Sequence, residues 1–453
     1  MTPTVARISS AVRPGRTIVV GLGRTGLACA RYLHARGIDF AVTDSRAVPP
    51  ETAALQSFAP AVETRFGGFD RGLLDGAAQV IASPGVSLEE PFLKTAAERG
   101  IPVVGDIELF VREAQAPIAA ITGTNGKSTV TTLVAAMANA AGKSAIAAGN
   151  LGRPVLELLD EPVPQLYVLE LSSFQLETTQ SLRAAAATVL NVTPDHMDRY
   201  PSIEAYAAAK ARIFDGADAA VLNFDDPIVR AMAESVPQRL GFSVSNDPQA
   251  DYQATIDARD IVLSRRGERL VAMSELKIAG LHNAANALAA LAMCEALGLD
   301  RAACLAALRE FSGLPHRSQF VAEVRGVRFV DDSKGTNVGA TQAAVAGMPG
   351  SLVLIAGGQG KGQDFAPLAD VFRGKVRHVV LIGQDASQIE TALRGVCTTE
   401  YAHDMAAAVN AAARAARPGE TVLLSPACAS LDMFRDYAHR GDVFAACVRE
   451  LAS

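Results

Sequence analysis

The run Ile118-Ala-Ala-Ile-Thr-Gly-Thr-Asn-Gly-Lys-Ser-Thr129 constrains the fold more than any other stretch. Apolar residues at 118–121 suit a strand buried on both faces, as in a parallel sheet. Gly123, Asn125 and Gly126 then free the backbone to curl, and 128–137 reads as a helix. Strand, glycine turn and helix in that order aim loop amides and a helix N-terminus at one point, which is an anion site. Lys127 can reach the terminal phosphates of a nucleoside triphosphate, and Ser128 or Thr129 can offer a hydroxyl to Mg²⁺. The general pattern has a glycine where this chain has Ile121, so the loop is shorter than in common P-loop ATPases.

A second glycine turn lies upstream. A strand over 17–20 meets Gly21-Leu-Gly-Arg-Thr-Gly26, a helical stretch 27–36 follows, and a further strand ends at Asp44. This is the GxGxxG unit with an acid after the second strand, which suggests a dinucleotide. The same turn serves any pyrophosphate on a helix N-terminus, so a nucleotide-sugar, a dinucleotide and a merely structural turn all remain open. Val80-Ile-Ala-Ser-Pro-Gly85 is another strand running into a tight turn.

At 453 residues the chain exceeds one core, and with 49% apolar residues it has ample material for two to four. A net charge of −6 argues against nonspecific nucleic-acid binding. The six scattered cysteines form no CxxC pair and read as reduced residues of a cytosolic protein. The first 16 residues have no long apolar core, and no run approaches a membrane span, so a soluble cytoplasmic chain without membrane insertion is expected.

Strands at 166–171, 188–192 and 219–223, with a helix at 203–214, predict a wound α/β sheet. A hairpin at 261–271 then adds an antiparallel piece, and an Ala- and Leu-rich helix covers 283–297. Gly313 and Pro315 make a hinge. Beyond it, strands at 327–330, 351–356, 378–382 and 421–424 build a third α/β unit.

Several residues in this frame can carry chemistry. Glu170 ends a strand, where an acid either holds Mg²⁺ or is a satisfied structural acid. His196, on the loop after the next strand, is a ligand or a surface histidine. Lys210 reads on pattern alone as a solvated helix lysine. Asn283 and Asn286 share a helix face or serve as caps. Arg317 can swing onto a transferring phosphate or lie on the surface. The loops Asp332 to Thr336, Gly357 to Lys361 and Ser425 to Ser430 all follow strands and meet at one sheet edge, with lysines and hydroxyls suited to carboxylates. A nicotinamide oxidoreductase leaves the phosphate loop unexplained, and a regulatory NTPase leaves the first turn idle.

Taken together, Gly123 to Thr129, Glu170-Leu-Ser-Ser-Phe-Gln-Leu-Glu177, Asn191 to Tyr200, His282-Asn-Ala-Ala-Asn286, Leu314-Pro-His-Arg317 and Asp332-Ser-Lys-Gly-Thr-Asn337 resemble the Mur ligases of peptidoglycan synthesis. The resemblance runs from Gly21 to Phe444. It implies three α/β domains: an N-terminal Rossmann-like one over 1–105, a central P-loop one over 106–313 and a C-terminal Rossmann-like one over 314–453. It also implies ATP-dependent joining of D-glutamate to UDP-N-acetylmuramoyl-L-alanine through an acyl phosphate, by a monomer. Within the family, Asp331-Asp-Ser-Lys334, Gly357-Gly-Gln-Gly-Lys361 and 424–432 are most similar to the D-glutamate-adding members.

By the same resemblance, Gly23, Thr25, Asp44, Ser45, Arg46, Ser83, Pro84, Gly85, Asn150, Ser172 and Gln175 would contact the UDP substrate. ATP would sit on Gly123, Thr124, Asn125, Gly126, Lys127, Ser128 and Thr129, with Asn283 and Asn286 at the adenine and Arg317 and Asp332 at the phosphates and ribose. Mg²⁺ would be held by Ser128, Glu170 and His196, and by Lys210 as a carbamate. Lys127, His196, Lys210 and Arg317 form the expected catalytic set. D-glutamate would fall to Lys334, Thr336, Lys361, Ser430, Leu431 and Tyr437. Tyr437 stands where relatives have phenylalanine, and Arg24 where an apolar residue is expected.

Overall fold

The computed structural model describes residues 15–452 apart from 258, 259, 279 and 349; the segment 1–14, read above as lacking a long apolar core, lies outside the described residues. The chain divides into two compact units, one of Met1–Ile118 with Ile146–Arg183 and one of Ala119–Ala145 with Ala184–Ser453. Among the described residues no helix is long and apolar enough to cross a membrane.

The first unit carries a parallel sheet in the order Glu63–Phe66, Phe40–Asp44, Arg16–Val20, Ala77–Ala82, Val103–Val104. Ile18, Val20, Val80 and Ala82 from its central strands pack with Phe92, Leu93 and Leu74 into a core. Helix Asp106–Glu113 then joins 166–181 to this sheet. Glu108 is buried and accepts from Gln180 N at 2.7 Å, Ser181 N at 2.9 Å and Ser181 Oγ at 2.6 Å, and the Phe110 and Tyr167 rings meet edge to face at 5.0 Å.

In the second unit a sheet runs Ile118–Thr122, Ala186–Val189, Ala219–Asn223, Gln238–Ser243, Tyr252–Asp257, Asp260–Arg265, Glu268–Ala272. It is parallel as far as Tyr252–Asp257 and antiparallel in the last two strands, which form the expected hairpin. The outermost strand is charged: Glu268 pairs with Arg301 at 2.8 Å and Arg269 with Glu275 at 2.7 Å. Helix Lys127–Ala140 packs against Leu281–Ala296. Their buried alanines allow close approach, with Cys294 Sγ 3.5 Å from Met137 Sδ.

The same unit holds a six-stranded sheet ordered Gln319–Val324, Val327–Asp331, Thr421–Leu424, Leu352–Gly357, Val376–Ile382, Thr398–Tyr401, in which only the first strand is antiparallel. The α/β class expected from sequence is what forms. Strands Gln238–Ser243, Gln319–Val324 and Thr398–Tyr401 and helix Arg301–Glu310 were not read from sequence. The strand expected at 188–192 is Ala186–Val189 instead, because 191–193 turns away to bond the phosphate loop.

Candidate active site

In the first unit the glycine turn is built as expected. Gly21 has φ +90°, and a Cβ on Gly26 would lie 1.9 Å from Gly21 O, so only glycine lets helix Arg24–Ala35 start there. Gly23 is its N-cap, with Thr25 in the first turn and open space around the Gly23 and Gly85 Cβ positions. Ser83 Oγ donates to Gly21 O at 2.8 Å, which ties the 83–85 turn to the first one. Asp44 is buried and is bonded within its own turn. Its oxygens accept from Leu22 N at 2.7 Å, Arg46 N at 2.8 Å, Arg46 Nε at 2.9 Å and Arg46 Nη2 at 2.6 Å. Burial works to raise its pKa, but the bonds from Arg46 and Leu22 win and bring it to about 2. It therefore orders the exposed turn at Ser45 and Arg46. Arg24 Nη2 donates to Gly152 O at 3.2 Å.

Also in this unit, Ser172 and Gln175 form the capping box of helix Ser173–Glu177. Asn150 Nδ2 donates to Glu170 Oε1 at 2.7 Å, and Glu170 Oε2 is buried with no hydrogen-bond partner. A buried carboxylate oxygen left over in this way is the donor type that Mg²⁺ takes.

The phosphate loop of the second unit is shaped by residues far away in sequence. Gly126, the N-cap of helix Lys127–Ala140, has φ +87°. A Cβ there would come 2.5 Å from Asn286 Oδ1. Asn191 brackets the loop: Thr124 N donates to its carbonyl at 2.9 Å, Asn125 N to its Oδ1 at 2.8 Å, and its Nδ2 donates to Asn125 O at 3.1 Å. Thr193 N donates to Thr124 Oγ1 at 3.0 Å. Lys127 Nζ donates to Gly123 O and Thr124 O, both at 2.8 Å, and so lies along the loop that it would serve.

Lys210 corrects its pattern-only reading. It is almost fully buried rather than solvated, with Nζ 3.0 Å from Gly123 O and 4.3 Å from the Tyr206 ring centre. His196 is held at φ +57°. Burial, with help from Lys361 and Lys127, lowers its pKa against the pull of Asp195. This favours the neutral imidazole, the form in which histidine binds metals.

Helix Leu281–Ala296 starts at Gly280, so Asn283 and Asn286 are not caps; Asn286 Nδ2 bonds Asn283 Oδ1 at 3.3 Å. Both line a cavity of about 290 Å³ with Asn125, Gly126, Thr129, Arg317, Asp332 and Lys334. Arg317 reaches into the loop and donates to Ser128 Oγ at 2.9 Å. The same hydroxyl is the expected Mg²⁺ donor. Asp332 is buried and accepts from Ser425 Oγ at 2.8 Å and Ser318 N at 3.0 Å. Burial outweighs these bonds and lifts its carboxyl to about 7.

The three loops of the six-stranded sheet do meet at one edge. Gly357 N donates to Pro426 O at 2.8 Å, Gln359 bridges to Ala429, and Ser425 Oγ bonds Asp332. Lys334 Nζ sits 3.9 Å from the Tyr437 ring centre, a cation–π contact that phenylalanine would also give. Lys361 Nζ bonds Asp195 Oδ1 at 3.3 Å. Thr336 is partly exposed, Ser430 is buried, and Leu431 is 68% exposed, an apolar side chain available to a ligand. Sequence pattern assigns no role of their own to Asn191, Thr193, His282 and Asn337. His282 lines the cavity with a buried Nδ1 that has no partner. Asn191 and Asn337 act through contacts that no local pattern encodes.

Among the described residues, no group of three or more His, Cys, Asp or Glu side chains is arranged to hold a metal alone.

A short phosphate loop entered by an arginine from a following α/β segment, above a cavity with paired amides, defines a nucleoside-triphosphate enzyme of the phosphoryl-transfer class. The chain belongs to the Mur ligase family: residues 15–105 match the Mur ligase MurD-like N-terminal domain, 121–294 the Mur ligase middle domain and 316–428 the Mur ligase glutamate ligase domain. It is 53% identical to the UDP-N-acetylmuramoylalanine--D-glutamate ligase of Nitrosococcus oceani, over 96% of this chain and 97% of that protein. To the protein of the same description from Methylobacillus flagellatus it is 52% identical, again over 96% and 97%. Among solved structures it is similar in fold to a pseudomurein peptide ligase type C from Methanothermus fervidus (TM-score 0.62, 17% identity, 96% and 100% covered) and to a UDP-N-acetylmuramate-alanine ligase from Thermotoga maritima (TM-score 0.60, 19% identity, 96% and 99% covered).

Proposed function

We propose that this chain uses ATP to join D-glutamate to UDP-N-acetylmuramoyl-L-alanine, in the synthesis of peptidoglycan precursors. The observation that supports the mechanism is Arg317 on Ser128 Oγ: a residue of the C-terminal segment reaches the first turn of the helix that the phosphate loop opens. Relatives near 50% identity over 96% of the chain support the choice of substrates.

The substrate carboxylate is a poor electrophile and has to be activated. It attacks the γ-phosphate in line, ADP leaves, and an acyl phosphate forms. Lys127 and Arg317 offset the charge that develops on the transferring group. The D-glutamate amine then attacks the acyl carbon and phosphate departs. Mg²⁺, when bound with ATP, neutralises phosphate charge; Ser128, Glu170, His196 and a carbamylated Lys210 are the residues proposed to hold it. Asn283 and Asn286 address the adenine, and Asp332 the ribose or phosphates.

The three functional domains are taken as 1–105, 106–313 and 314–453. On this reading the UDP end lies on Gly23, Thr25, Asp44, Ser45, Arg46 and the 83–85 turn, and the muramoyl end on Asn150, Ser172 and Gln175. D-glutamate is held by Lys334, Thr336, Lys361, Ser430, Leu431 and Tyr437. Closure about the hinge at Gly313 and Pro315 keeps water from the acyl phosphate. The chain is proposed to work as a cytoplasmic monomer.

The test is phosphate release from ATP in the presence of UDP-N-acetylmuramoyl-L-alanine, with D-glutamate and then with L-glutamate or other amino acids. Release that requires the UDP substrate and D-glutamate together is expected. Turnover with a different amino acid would move the specificity, and release with neither substrate would reduce the chain to an NTPase.

A further inference from the structure

Asn337 caps helix Val338–Gly347 by accepting from Ala340 N at 2.8 Å. A cap needs only the side-chain oxygen, and serine or aspartate does it equally well. Here the other half of the carboxamide is also used. Asn337 Nδ2 donates to Asn125 Oδ1 at 3.1 Å and to Asp195 Oδ2 at 3.3 Å, while Asn125 Nδ2 donates back to Asn337 Oδ1 at 3.3 Å. The whole side chain is buried. Only an amide supplies both donors and the acceptor at this place.

The partners give this bond set its meaning. Asn125 lies within the phosphate loop, where Asn191 fixes its backbone on both sides. Asp195 precedes His196 and also takes Lys361. Asn337 itself follows Thr336. One buried amide thus links the loop proposed to hold phosphate to the two side chains, Thr336 and Lys361, proposed to hold the incoming amino acid.

We propose that Asn337 is a positioning residue that sets the amino-acid loop in register with the phosphate loop. The inference rests on the ligase reading above. Activation takes place at the phosphate loop and the amine arrives from the C-terminal segment. If the two loops lose register, the acyl phosphate still forms but waits longer for the amine. Water then attacks the acyl carbon in its place, returning the carboxylate and inorganic phosphate, and ATP is consumed without an amide bond.

The experiment measures phosphate released per amide bond formed, with KM for each substrate, in the full-length enzyme. Asn337→Ser keeps an oxygen for Ala340 N but is too short to reach Asn125. It is expected to leave KM for the UDP substrate within about twofold, raise KM for D-glutamate about tenfold and lift the phosphate-to-amide ratio above one. Asn337→Asp keeps the cap but sets a carboxylate against Asp195, and is expected to be worse than the serine variant. Asn125→Ala, which leaves the helix cap intact, should raise the ratio in the same way, and adding Asn337→Ser to it should cost less than twofold more. A ratio of one in both single variants, or fully additive effects in the double variant, overturns the proposal even if Asn337→Ser melts early. Failure of the wild-type enzyme to form any amide would instead overturn the ligase reading.

Discussion

The two glycine turns of this molecule start from the same plan, a parallel strand running into a helix, and are finished differently. The turn at Gly21 to Gly26 is closed by its own sheet: Ser83 bonds Gly21, and Asp44 bonds Leu22 and Arg46. The loop at Gly123 to Thr129 is held from a distance by Asn191, Lys210, Arg317 and Asn337. The difference is between a turn made to present a fixed surface and a loop made to be addressed by other parts of the chain. Sequence pattern describes the first kind well, because its determinants lie within about sixty residues and on adjacent strands. It describes only the glycines, the lysine and the hydroxyls of the second.

The contrast can be broken most sharply at Lys127. Lys127→Ala should lower turnover on the order of a thousandfold, read by phosphate release at saturating substrates, as expected for a phosphoryl-transfer clamp. Near-normal turnover would mean that the loop does not hold the reacting phosphate. A smaller effect, confined to the other turn, is expected of Gly26→Ala. Its Cβ would meet Gly21 O, so the helix start must shift. UDP-substrate affinity should fall roughly a hundredfold while a nonhydrolysable ATP analogue binds as before, measured by calorimetry. Equal loss of both ligands would erase the distinction drawn between the turns.

The smallest effect concerns pH. Burial raises the Asp332 carboxyl to about 7 in the folded protein, against about 3.9 in the unfolded chain. Between those values the native state keeps a proton that the unfolded state has released. This contribution is therefore complete below about pH 4 and is lost as pH rises through 7. Asp332→Asn should flatten that part of the pH dependence of the melting temperature, measured without nucleotide. An unchanged slope would place the titration elsewhere.

How far the sequence could be read follows from the same contrast. The α/β class, the hairpin and the convergence of three polar loops at one edge were legible because strand periodicity and glycine turns are local. The edge strand Gln319–Val324 was not, since its burial alternates weakly and Phe320 is half exposed. Lys210 was legible only through the family resemblance: three alanines precede it, and nothing in Ala207-Ala-Ala-Lys210 says that its helix is turned inward against Gly123. Asn191 and Asn337 carried no signal of their own, because an asparagine that pins a loop 66 or 212 residues away looks like any turn asparagine.

The charged outer strand Glu268–Ala272 has a consequence for the life of the chain in a crowded solution. A long sheet whose last strand offers free backbone groups invites a strand from another molecule, and growth of that kind ends in aggregates. Here the terminal strand is short, and the ion pairs of Glu268 with Arg301 and Arg269 with Glu275 leave a charged fringe where a flat apolar one would recruit neighbours. The hairpin added after the parallel strands thus acts as a hem: it finishes the sheet and keeps a protein with so many buried valines and alanines from being extended by its own kind.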